Sequence, residues 1–330
     1  MSITPYAGTW GRAQVLHLLR RTMFGVKKAD LNYFLTKTME QSVSELLSVL
    51  AAPNPPVNDY QNYVGTPDPY VALGETWIHE LKGDYPYPRL QSLRGWWMGL
   101  MWNQDRNIRE KMVLFWHNHL PVSIGDVVTD PIPAYSYVAV LRKYALGNFK
   151  DMVREMTIEP AMLQYLDGQL NTRYAPNENY ARELQELFTI GKDASPIYTE
   201  TDVQMAAKVL TGWRVSWPDN LVSYDSSLHD TSNKVFSSFY GNATINYASG
   251  ASGGMTELNA LLDLIFAKND VALFIIRKLY RFFVYYKITA DIEANVIVPL
   301  ANLFRDNQYN ILPVLNALFR SEHFYDVTNS

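Results

Sequence analysis

Apolar side chains recur every three or four positions through most of this 330-residue chain, a spacing that places them on one face of an α-helix. The longest such stretch, residues 271–286, is interrupted by Arg277, Lys278 and Arg281, so it predicts an amphipathic helix packed on a core and is too charged to span a bilayer. A hydrophobic content of 48% is enough to bury a large core. The pattern predicts an all-α fold, a multi-helix globular bundle that forms a single large helical domain over residues 1–330.

Two long segments lack helical periodicity. Residues 51–69 are rich in proline, and residues 214–254 are rich in Ser, Gly, Asn and Tyr. Within the second segment, residues 220–224 and 234–240 have the composition of short strands, which predicts a long irregular loop or a small β-hairpin. A helix is expected at residues 71–81, directly after the first segment.

Composition excludes several classes of function. A balance of 29 basic and 33 acidic residues gives a net charge of −4 and no global attraction to nucleic acid, so no nucleic-acid partner is expected. The absence of cysteine leaves His, Asp and Glu as the candidate metal ligands. This numbering begins without a signal-peptide pattern, so the default expectation is a cytoplasmic protein with no transmembrane segment.

The densest polar chemistry lies at residues 176–188. Asn177 follows a proline and precedes an apolar run, so it is expected to cap a helix that begins near Glu178. At helical spacing, one face of that helix carries a polar stripe of Asn179, Arg182, Glu183 and Glu186. Lysine is absent from residues 176–190, which favours a fixed hydrogen-bonded cluster, whereas the alternative is a solvated face with an Arg182–Glu186 ion pair.

Two histidines, His117 and His119, lie at the end of an apolar run that Pro121 is expected to terminate. Residues two positions apart on an ideal helix point about 200° away from each other, so both rings can face one metal ion only if the chain turns there. We expect the helix to end among these residues. The alternative is one histidine hydrogen-bonded in the core and the other near the surface.

Three further sets of residues are candidates. His229, which precedes Asp230 in the long loop, has the chemistry of a general base or a ligand. Trp213 and Arg214 follow a predicted helix and are candidates for binding. His17 and Arg21 share one helix face and form a candidate anion site, although Arg21 pairing with an acidic residue of another helix explains the pattern equally well.

Four segments, read in order, resemble a large bacterial family catalogued as domain of unknown function 1800. They are residues 16–25, residues 115–123 around Trp116-His117-Asn118-His119, residues 160–168 together with 176–188, and residues 210–214. Lys268-Asn269 stands where the family usually has His-Pro. The resemblance implies an exported protein that acts beside a sulfatase-like partner. Members are often longer, which leaves open whether the chain is a short member or a truncated one, and the family supplies no established substrate, cofactor or catalytic residue.

These residues support two hypotheses. In the first, His117, His119 and Glu183 bind a divalent metal (Zn, Fe or Mn), with Glu186, Arg182 and His229 completing an active site for hydrolysis, which we favour slightly over oxidation. Asn177, Asn179, Trp213, Arg214, His17 and Arg21 are then further binding residues. In the second, the same groups form a structural network in a non-catalytic module or scaffold that binds a polymer or a partner protein.

Overall fold

The computed structural model describes residues 2–60, 65, 67–81, 85–192 and 197–326. It is mainly α-helical, with 54% of residues in helices, which confirms the predicted fold class. The helices are Arg12–Thr22, Lys28–Phe34, Met39–Leu46, Pro86–Trp102, Arg109–His119, Pro131–Lys143, Phe149–Thr157, Pro160–Tyr165, Asn179–Glu183, Glu200–Val209, Gly253–Phe266, Asn269–Phe283, Ala290–Ile292, Val298–Asp306, Ile311–Arg320 and Glu322–Tyr325, with 3₁₀ turns at Gly168–Leu170 and Ser238–Tyr240 and π-helical turns at Leu184–Thr189 and Glu293–Ile297.

Local sequence explains where several helices begin. Thr199 accepts a hydrogen bond from the Asp202 amide while the Asp202 carboxylate accepts from the Thr199 amide, a capping box that starts the Glu200–Val209 helix. Asp130 caps the Pro131–Lys143 helix, whose first position is a proline that needs no hydrogen-bond partner there. Such caps satisfy amides that would otherwise lack partners at a helix start.

The Asn269–Phe283 helix contributes its apolar face to the core. Its buried residues recur at helical spacing: Val271, Ala272, Ile275, Ile276, Leu279, Tyr280 and Phe283. Burying one large apolar side chain contributes about 1.5–3 kcal/mol, so this face fixes the helix against its neighbours. Lys278 lies on the edge of that face, half-buried.

The helix predicted at residues 71–81 does not form. Gly74 has φ +85°, a left-handed conformation that interrupts a right-handed helix. The side-chain amide of Asn58 donates to the Val71 carbonyl at 2.8 Å, and the backbone N–H of Asn58 donates to the Glu75 carbonyl at 2.8 Å. These long-range hydrogen bonds attach residues 71–81 to the preceding loop, and the segment forms a series of turns. The hydrogen bonds to Asn58 outweigh the helical tendency of the local apolar spacing.

The long segment at 214–254, for which the sequence predicted a long irregular loop or a small β-hairpin, contains two small antiparallel sheets among the described residues. Trp213–Val215 pairs with Val222–Tyr224, and Lys234–Val235 pairs with Thr244–Ile245. The predicted strand at 234–240 is therefore only two residues long. Phe236 contacts the core, and Ser238–Tyr240 forms a 3₁₀ turn in place of the strand's continuation.

None of the helices in the described ranges has the combination of length and apolar character needed to cross a bilayer.

Candidate functional site

The carboxyl end of the polar segment is where two of the predicted motifs meet. The Asn179–Glu183 helix continues into the π-helical turn Leu184–Thr189, whose wider spacing alters which carbonyls find partners within the helix. The Phe188 carbonyl accepts a hydrogen bond from Nε2 of His119 at 2.9 Å. The Leu187 carbonyl accepts one from Nζ of Lys278 at 3.3 Å. Donors of this kind stabilise the carbonyl end of a helix.

Lys278 also contacts His119 directly. Its Nζ donates to Nδ1 of His119 at 3.0 Å and lies 4.4 Å from the centre of the Phe274 ring. Because the Phe188 carbonyl can only accept, His119 carries its proton on Nε2 and presents an unprotonated Nδ1 to Lys278. We call His119, Lys278, Phe274 and the carbonyls of Leu187 and Phe188 the helix junction.

Burial shifts both basic groups of the helix junction toward their neutral forms. Complete burial, helped by the nearby charge of Lys278, lowers the pKa of His119 to about 3. Burial also lowers the pKa of Lys278 to about 8, and no described carboxylate offsets that shift. At neutral pH His119 is an uncharged acceptor, and a sizeable fraction of Lys278 is an uncharged amine.

His117 faces different neighbours. The Arg109–His119 helix ends at the second histidine, as expected, but it includes both histidines, so the chain does not turn between them. Nδ1 of His117 lies 2.8 Å from the Tyr137 hydroxyl, which itself donates to the Leu120 carbonyl at 2.7 Å. Nδ1 therefore carries the proton and Nε2 is an unprotonated acceptor. The two rings do not converge on one point.

Two of the three charged residues of the polar stripe, Arg182 and Glu186, form ion pairs near the surface. Arg182 pairs with Glu178 at 3.1 Å and with Glu200, and not with Glu186 as the solvated-face alternative predicted. Glu186 pairs with Lys192 instead. Ion pairs at this exposure typically contribute about 0–1 kcal/mol to the free energy of unfolding. The arrangement favours helix positioning over a preorganised catalytic cluster.

The remaining residues of this segment have distinct environments. Asn177 Oδ1 accepts from the Asn179 amide at 2.9 Å, which agrees with its predicted capping role and places the helix start at Asn179. The Asn179 side chain reaches the Leu166 carbonyl at 3.5 Å. Oε2 of Glu183 is buried and has no hydrogen-bond partner among the described residues. Glu183 is therefore the stripe residue whose polar atom the fold leaves unsatisfied.

His229 belongs to a buried polar cluster with Thr211, Lys234 and Glu257, which we call the loop cluster. Nε2 of His229 lies 3.0 Å from Glu257 Oε1, and its Nδ1 lies 2.9 Å from the Thr211 carbonyl. Lys234 Nζ donates to Glu257 Oε2 at 2.7 Å. Because a carboxylate only accepts, Nε2 of His229 donates to Glu257, whereas Nδ1 lies near both the carbonyl and, at 3.0 Å, the hydroxyl of Thr211.

The Glu257 carboxylate of the loop cluster accepts hydrogen bonds from both His229 and Lys234, and Asp230 Oδ1 also lies 3.9 Å from Lys234 Nζ. Burial acts to raise the pKa of Glu257, but hydrogen bonds from His229 and Lys234 outweigh it and leave the pKa below its ordinary value. All three side chains are 0% exposed. The loop cluster fastens the 214–254 segment to the Gly253–Phe266 helix, and His229 is shielded from solvent there.

Trp213 and Arg214 lie beside the loop cluster. The Trp213 ring packs on Tyr224 with 5.3 Å between ring centres, and its buried Nε1 has no partner within the described ranges. Arg214 donates to the Gln169 carbonyl. The predicted binding role of this pair stays a prediction.

The predicted anion site at His17 and Arg21 is divided between two environments. His17 packs edge-on against Phe324, with 4.8 Å between ring centres, and burial together with the nearby Arg21 lowers its pKa. Arg21 is exposed. His17 therefore contributes to an aromatic contact with the Glu322–Tyr325 helix.

Sequence reasoning missed a cavity of about 360 Å³ between residues 48–53 and the helices Pro86–Trp102 and Pro131–Lys143. Trp96 and Tyr135 lie on its wall, with 5.8 Å between ring centres. Its other apolar lining consists of Val49, Leu50, Ala52, Pro53, Ala139, Ala145 and Leu146. A mainly apolar cavity of this size with a few polar groups is typical of small-molecule binding sites.

The cavity also carries a surplus of positive charge. Arg109, Arg142 and Lys143 line it, whereas their partners Glu110 and Glu155 lie outside the described lining. Arg142 binds Glu110 through two hydrogen bonds of 3.0 and 2.7 Å, Arg109 lies 3.4 Å from Glu110, and Lys143 lies 2.5 Å from Glu155. Three cations and two carboxylates leave a local charge of one positive unit.

The Tyr135 hydroxyl adds a neutral hydrogen-bonding group to the cavity. It forms no hydrogen bond with any described residue. Burial raises the pKa of Tyr135, and the nearby charge of Arg142 opposes the shift only in part, so the phenol keeps its proton at neutral pH. No spacing in the sequence signals this cavity, because its walls come from four separate segments: residues 48–53, Trp96, Arg109 and residues 135–147.

The described residues contain no group of three or more His, Asp or Glu side chains arranged to hold a metal ion. The predicted metal ligands His117, His119 and Glu183 have separate surroundings, and both ring nitrogens of His119 already have partners. The arrangement of these three residues does not favour the metal hypothesis. The hypothesis stays a prediction.

A mainly α-helical fold with a polar helix junction, a buried loop cluster and an apolar cavity defines the class of this protein. Its sequence matches the family model described as "Protein of unknown function (DUF1800)" over residues 17–330, so the chain belongs to that family. No curated protein matches the sequence, and no solved structure matches the fold.

Proposed function

We propose that this protein is a non-catalytic binding protein that holds a small amphipathic monoanion in the cavity beside Trp96. The observation that supports the proposal is the combination of an aromatic and aliphatic wall with three cations and the Tyr135 hydroxyl, which has no hydrogen-bond partner among the described residues. A carboxylate attached to an aromatic or aliphatic body matches these features. It would be a ligand of about the size of a bicyclic aromatic acid.

The apolar body of the ligand packs against Trp96 and Tyr135. Aromatic side chains supply large contact areas at low cost in conformational entropy, and burial of apolar surface contributes about 25 cal/mol per Å². The Trp96 indole N–H donates to the Asn54 carbonyl at 2.8 Å, and the guanidinium of Arg142 lies 4.8 Å from the centre of the Trp96 ring. The ring is therefore held in place before any ligand enters.

The charged end of the ligand lies toward Arg109 and Lys143. Arg142 is committed to Glu110 through both of its short hydrogen bonds, whereas the Lys143 side chain is 58% exposed and has room to reorient. Charge-assisted hydrogen bonds are about twice as strong as neutral ones and favour a carboxylate over an alcohol. Tyr135 provides a neutral donor beside them.

The lining favours binding over catalysis. Its described residues include no His, Asp or Glu, so a general base for hydrolysis is missing from this wall. The positive groups are paired with carboxylates behind them, which suits recognition of an anion. The binding-module hypothesis is thereby narrowed from a polymer or protein ligand to a small anion.

Isothermal titration calorimetry with naphthalene-2-carboxylate and naphthalene-2-methanol tests the proposal, because the two probes share a body and differ in charge. The carboxylate is expected to bind at least about tenfold more tightly, the effect of roughly one charge-assisted hydrogen bond. Raising the salt concentration is expected to reduce that preference. Absence of binding by either probe, or equal affinity for both, would contradict the proposal.

A metal-dependent hydrolase remains the second candidate. The observation in its favour is His117, whose Nδ1–H is fixed by Tyr137 and whose Nε2 is free to accept, as in histidines that ligate metals. Oε2 of Glu183, which is buried and has no hydrogen-bond partner among the described residues, would supply an oxygen as a second ligand. A functional partnership with a sulfatase-like protein is likewise a proposal, based on the family resemblance alone.

A further inference from the structure

We propose that a second cavity, which Trp217 lines, binds a small organic cation with a trialkylammonium head. This cavity has a volume of about 510 Å³, and we call it the Trp217 cavity. Its described lining has no residue in common with that of the cavity beside Trp96. The inference is therefore independent of the binding function proposed above.

Three parts of the fold contribute the described lining of the Trp217 cavity. One part is the beginning of the Pro86–Trp102 helix and the residues that precede it. A second is residues 129–132, where the Pro131–Lys143 helix begins. The third is Trp217, which lies in the turn between the strands Trp213–Val215 and Val222–Tyr224. The cavity is thus formed by tertiary packing and has no local sequence pattern.

Hydrogen bonds fix the turn that carries Trp217. The backbone N–H of Asn220 donates to the Ser216 carbonyl at 2.9 Å, which closes the turn. Asn220 has φ +52°, a left-handed conformation that asparagine adopts more readily than most residues. Its side-chain amide donates to Oδ2 of Asp130 at 2.9 Å. The backbone at Trp217 is therefore held at a fixed position relative to Asp130.

Trp217 offers an aromatic face to a ligand. Its side chain is 79% exposed, and no described ring or cation packs on it. A cation within about 6 Å of an indole centre is attracted by the negative face of the ring, more strongly than by a tyrosine or phenylalanine ring. The exposed indole at the edge of a cavity therefore favours a positively charged ligand.

Asp130 supplies negative charge to the same cavity. Its Oδ1 accepts from the backbone N–H of Ile132 at 2.9 Å, and its Oδ2 accepts from Asn220 at 2.9 Å. Both donors are neutral, and no described lysine, arginine or histidine forms an ion pair with Asp130. Glu80 brings a second carboxylate to the lining. A cation in the cavity would be attracted by these carboxylates.

Arg89 is the one cation in the described lining, and its charge is balanced by a carboxylate. Arg89 is buried, and its Nη2 and Nε donate to Oδ2 of Asp68 at 2.9 and 3.3 Å. Asp68 lies outside the described lining. The guanidinium is therefore committed to Asp68 and does not make the cavity a site for anions.

The other lining residues suit the methyl groups of a trialkylammonium head. Leu81, Pro131 and Ile132 add apolar surface. A quaternary nitrogen has no N–H, so it needs no hydrogen-bond acceptor, and its methyl groups can contact apolar walls and an indole face together. A ligand with its own phosphate or carboxylate would be repelled by Asp130 and Glu80. The ligand class is therefore a small quaternary amine without an anionic group.

The test is a ligand-observed proton NMR titration of the full chain with choline and with 3,3-dimethylbutan-1-ol. These probes have nearly the same shape and differ in charge, and each gives one nine-proton methyl signal. Choline is expected to bind at least about fivefold more tightly than the alcohol, and more tightly than phosphocholine. Equal affinity for choline and the alcohol, or binding of neither, would overturn the proposal. Tighter binding of phosphocholine would also overturn it and would indicate a lipid headgroup as the ligand.

Two pairs of variants locate the binding. Trp217→Leu should weaken choline binding several-fold, whereas Trp102→Leu should leave it unchanged, because Trp102 is 80% exposed but lies outside the lining. Asp130→Asn keeps a side-chain oxygen to cap the helix and removes the charge, so it should also weaken binding several-fold. Asp263→Asn, which removes an exposed carboxylate elsewhere, should have no effect. If Asp130→Asn fails to fold, the Trp217→Leu result decides; unchanged affinity for choline in folded Trp217→Leu would overturn the proposal.

Discussion

Nζ of Lys278 lies 3.0 Å from Nδ1 of His119, so two basic side chains that are 159 positions apart in the sequence meet in direct contact. The contact is stable because His119 is neutral: Nδ1 accepts from Lys278, and the single N–H, on Nε2, donates to the Phe188 carbonyl. It also joins three elements: the Arg109–His119 helix, the Asn269–Phe283 helix and the π-helical turn. The predicted histidine pair and the polar segment at 176–188 therefore do meet, but the contact runs from the His119 ring to the backbone carbonyl of Phe188 and involves no carboxylate of the polar stripe.

This contact bears on the metal hypothesis. A metal at Nδ1 of His119 would have to displace Lys278, and the fixed ammonium would repel the ion. We expect elemental analysis of chelator-free protein to give the same Zn, Fe and Mn content per folded chain for the wild type and for His117→Ala. Near-stoichiometric metal that is lost in the variant would instead support the metal-dependent hydrolase.

Glu257 is expected to be essential for the stability of the loop cluster. Glu257→Gln removes the carboxylate that accepts from both His229 and Lys234 and leaves the fully buried Lys234 with the more distant carboxylate of Asp230, 3.9 Å away, which should cost roughly 3–5 kcal/mol in the free energy of unfolding. The matched control on the same helix is Asp263→Asn, since Asp263 is 71% exposed and pairs with Lys150. Urea unfolding followed by circular dichroism measures both. Equal stabilities of the two variants would show that the loop cluster is not the structural fastening inferred here.

Glu159 should make stability depend on pH. It is 3% exposed, caps the Pro160–Tyr165 helix through the Ala161 and Met162 amides, and burial raises its pKa to about 8. The folded state therefore holds a proton that the unfolded state has lost above about pH 4.5, so stability falls as the pH rises toward 8.

Glu159→Gln removes that titration and keeps a capping oxygen. The stability of the variant relative to wild type is expected to increase by about 2 kcal/mol between pH 6 and pH 8. Urea unfolding at both pH values measures the difference. Parallel pH dependences of the two proteins would contradict a protonated Glu159 in the folded state.

The sequence predicts those features that depend on near neighbours along the chain. The amphipathic run at 271–286 gives the Asn269–Phe283 helix, and Thr199 with Asp202 gives a capping box, because each pattern is completed within a few residues. The failure at residues 71–81 has a long-range cause, since Asn58 fixes that segment through contacts outside it.

The site residues divide in the same way. Asn177 caps its own helix as its local position predicts. Glu257 and Lys278 were not candidates, because their partners His229 and His119 lie 28 and 159 positions away and no local pattern marks such a contact. The Trp96 cavity could not be predicted for the same reason, since its wall combines residues 48–53 with residues of three later helices.

The most direct test of the binding function is a cavity-filling substitution. Ala139 lines the cavity and is half-buried, whereas Ala13 lies on the exposed face of the Arg12–Thr22 helix. The affinity for naphthalene-2-carboxylate should be measured by calorimetry for the wild type, Ala139→Phe and Ala13→Phe, with circular dichroism to confirm folding. We predict that Ala139→Phe weakens binding by at least about tenfold, because the added ring occupies space the ligand needs, and that Ala13→Phe leaves it unchanged. Equal affinity of folded Ala139→Phe and wild type would contradict a ligand site in this cavity.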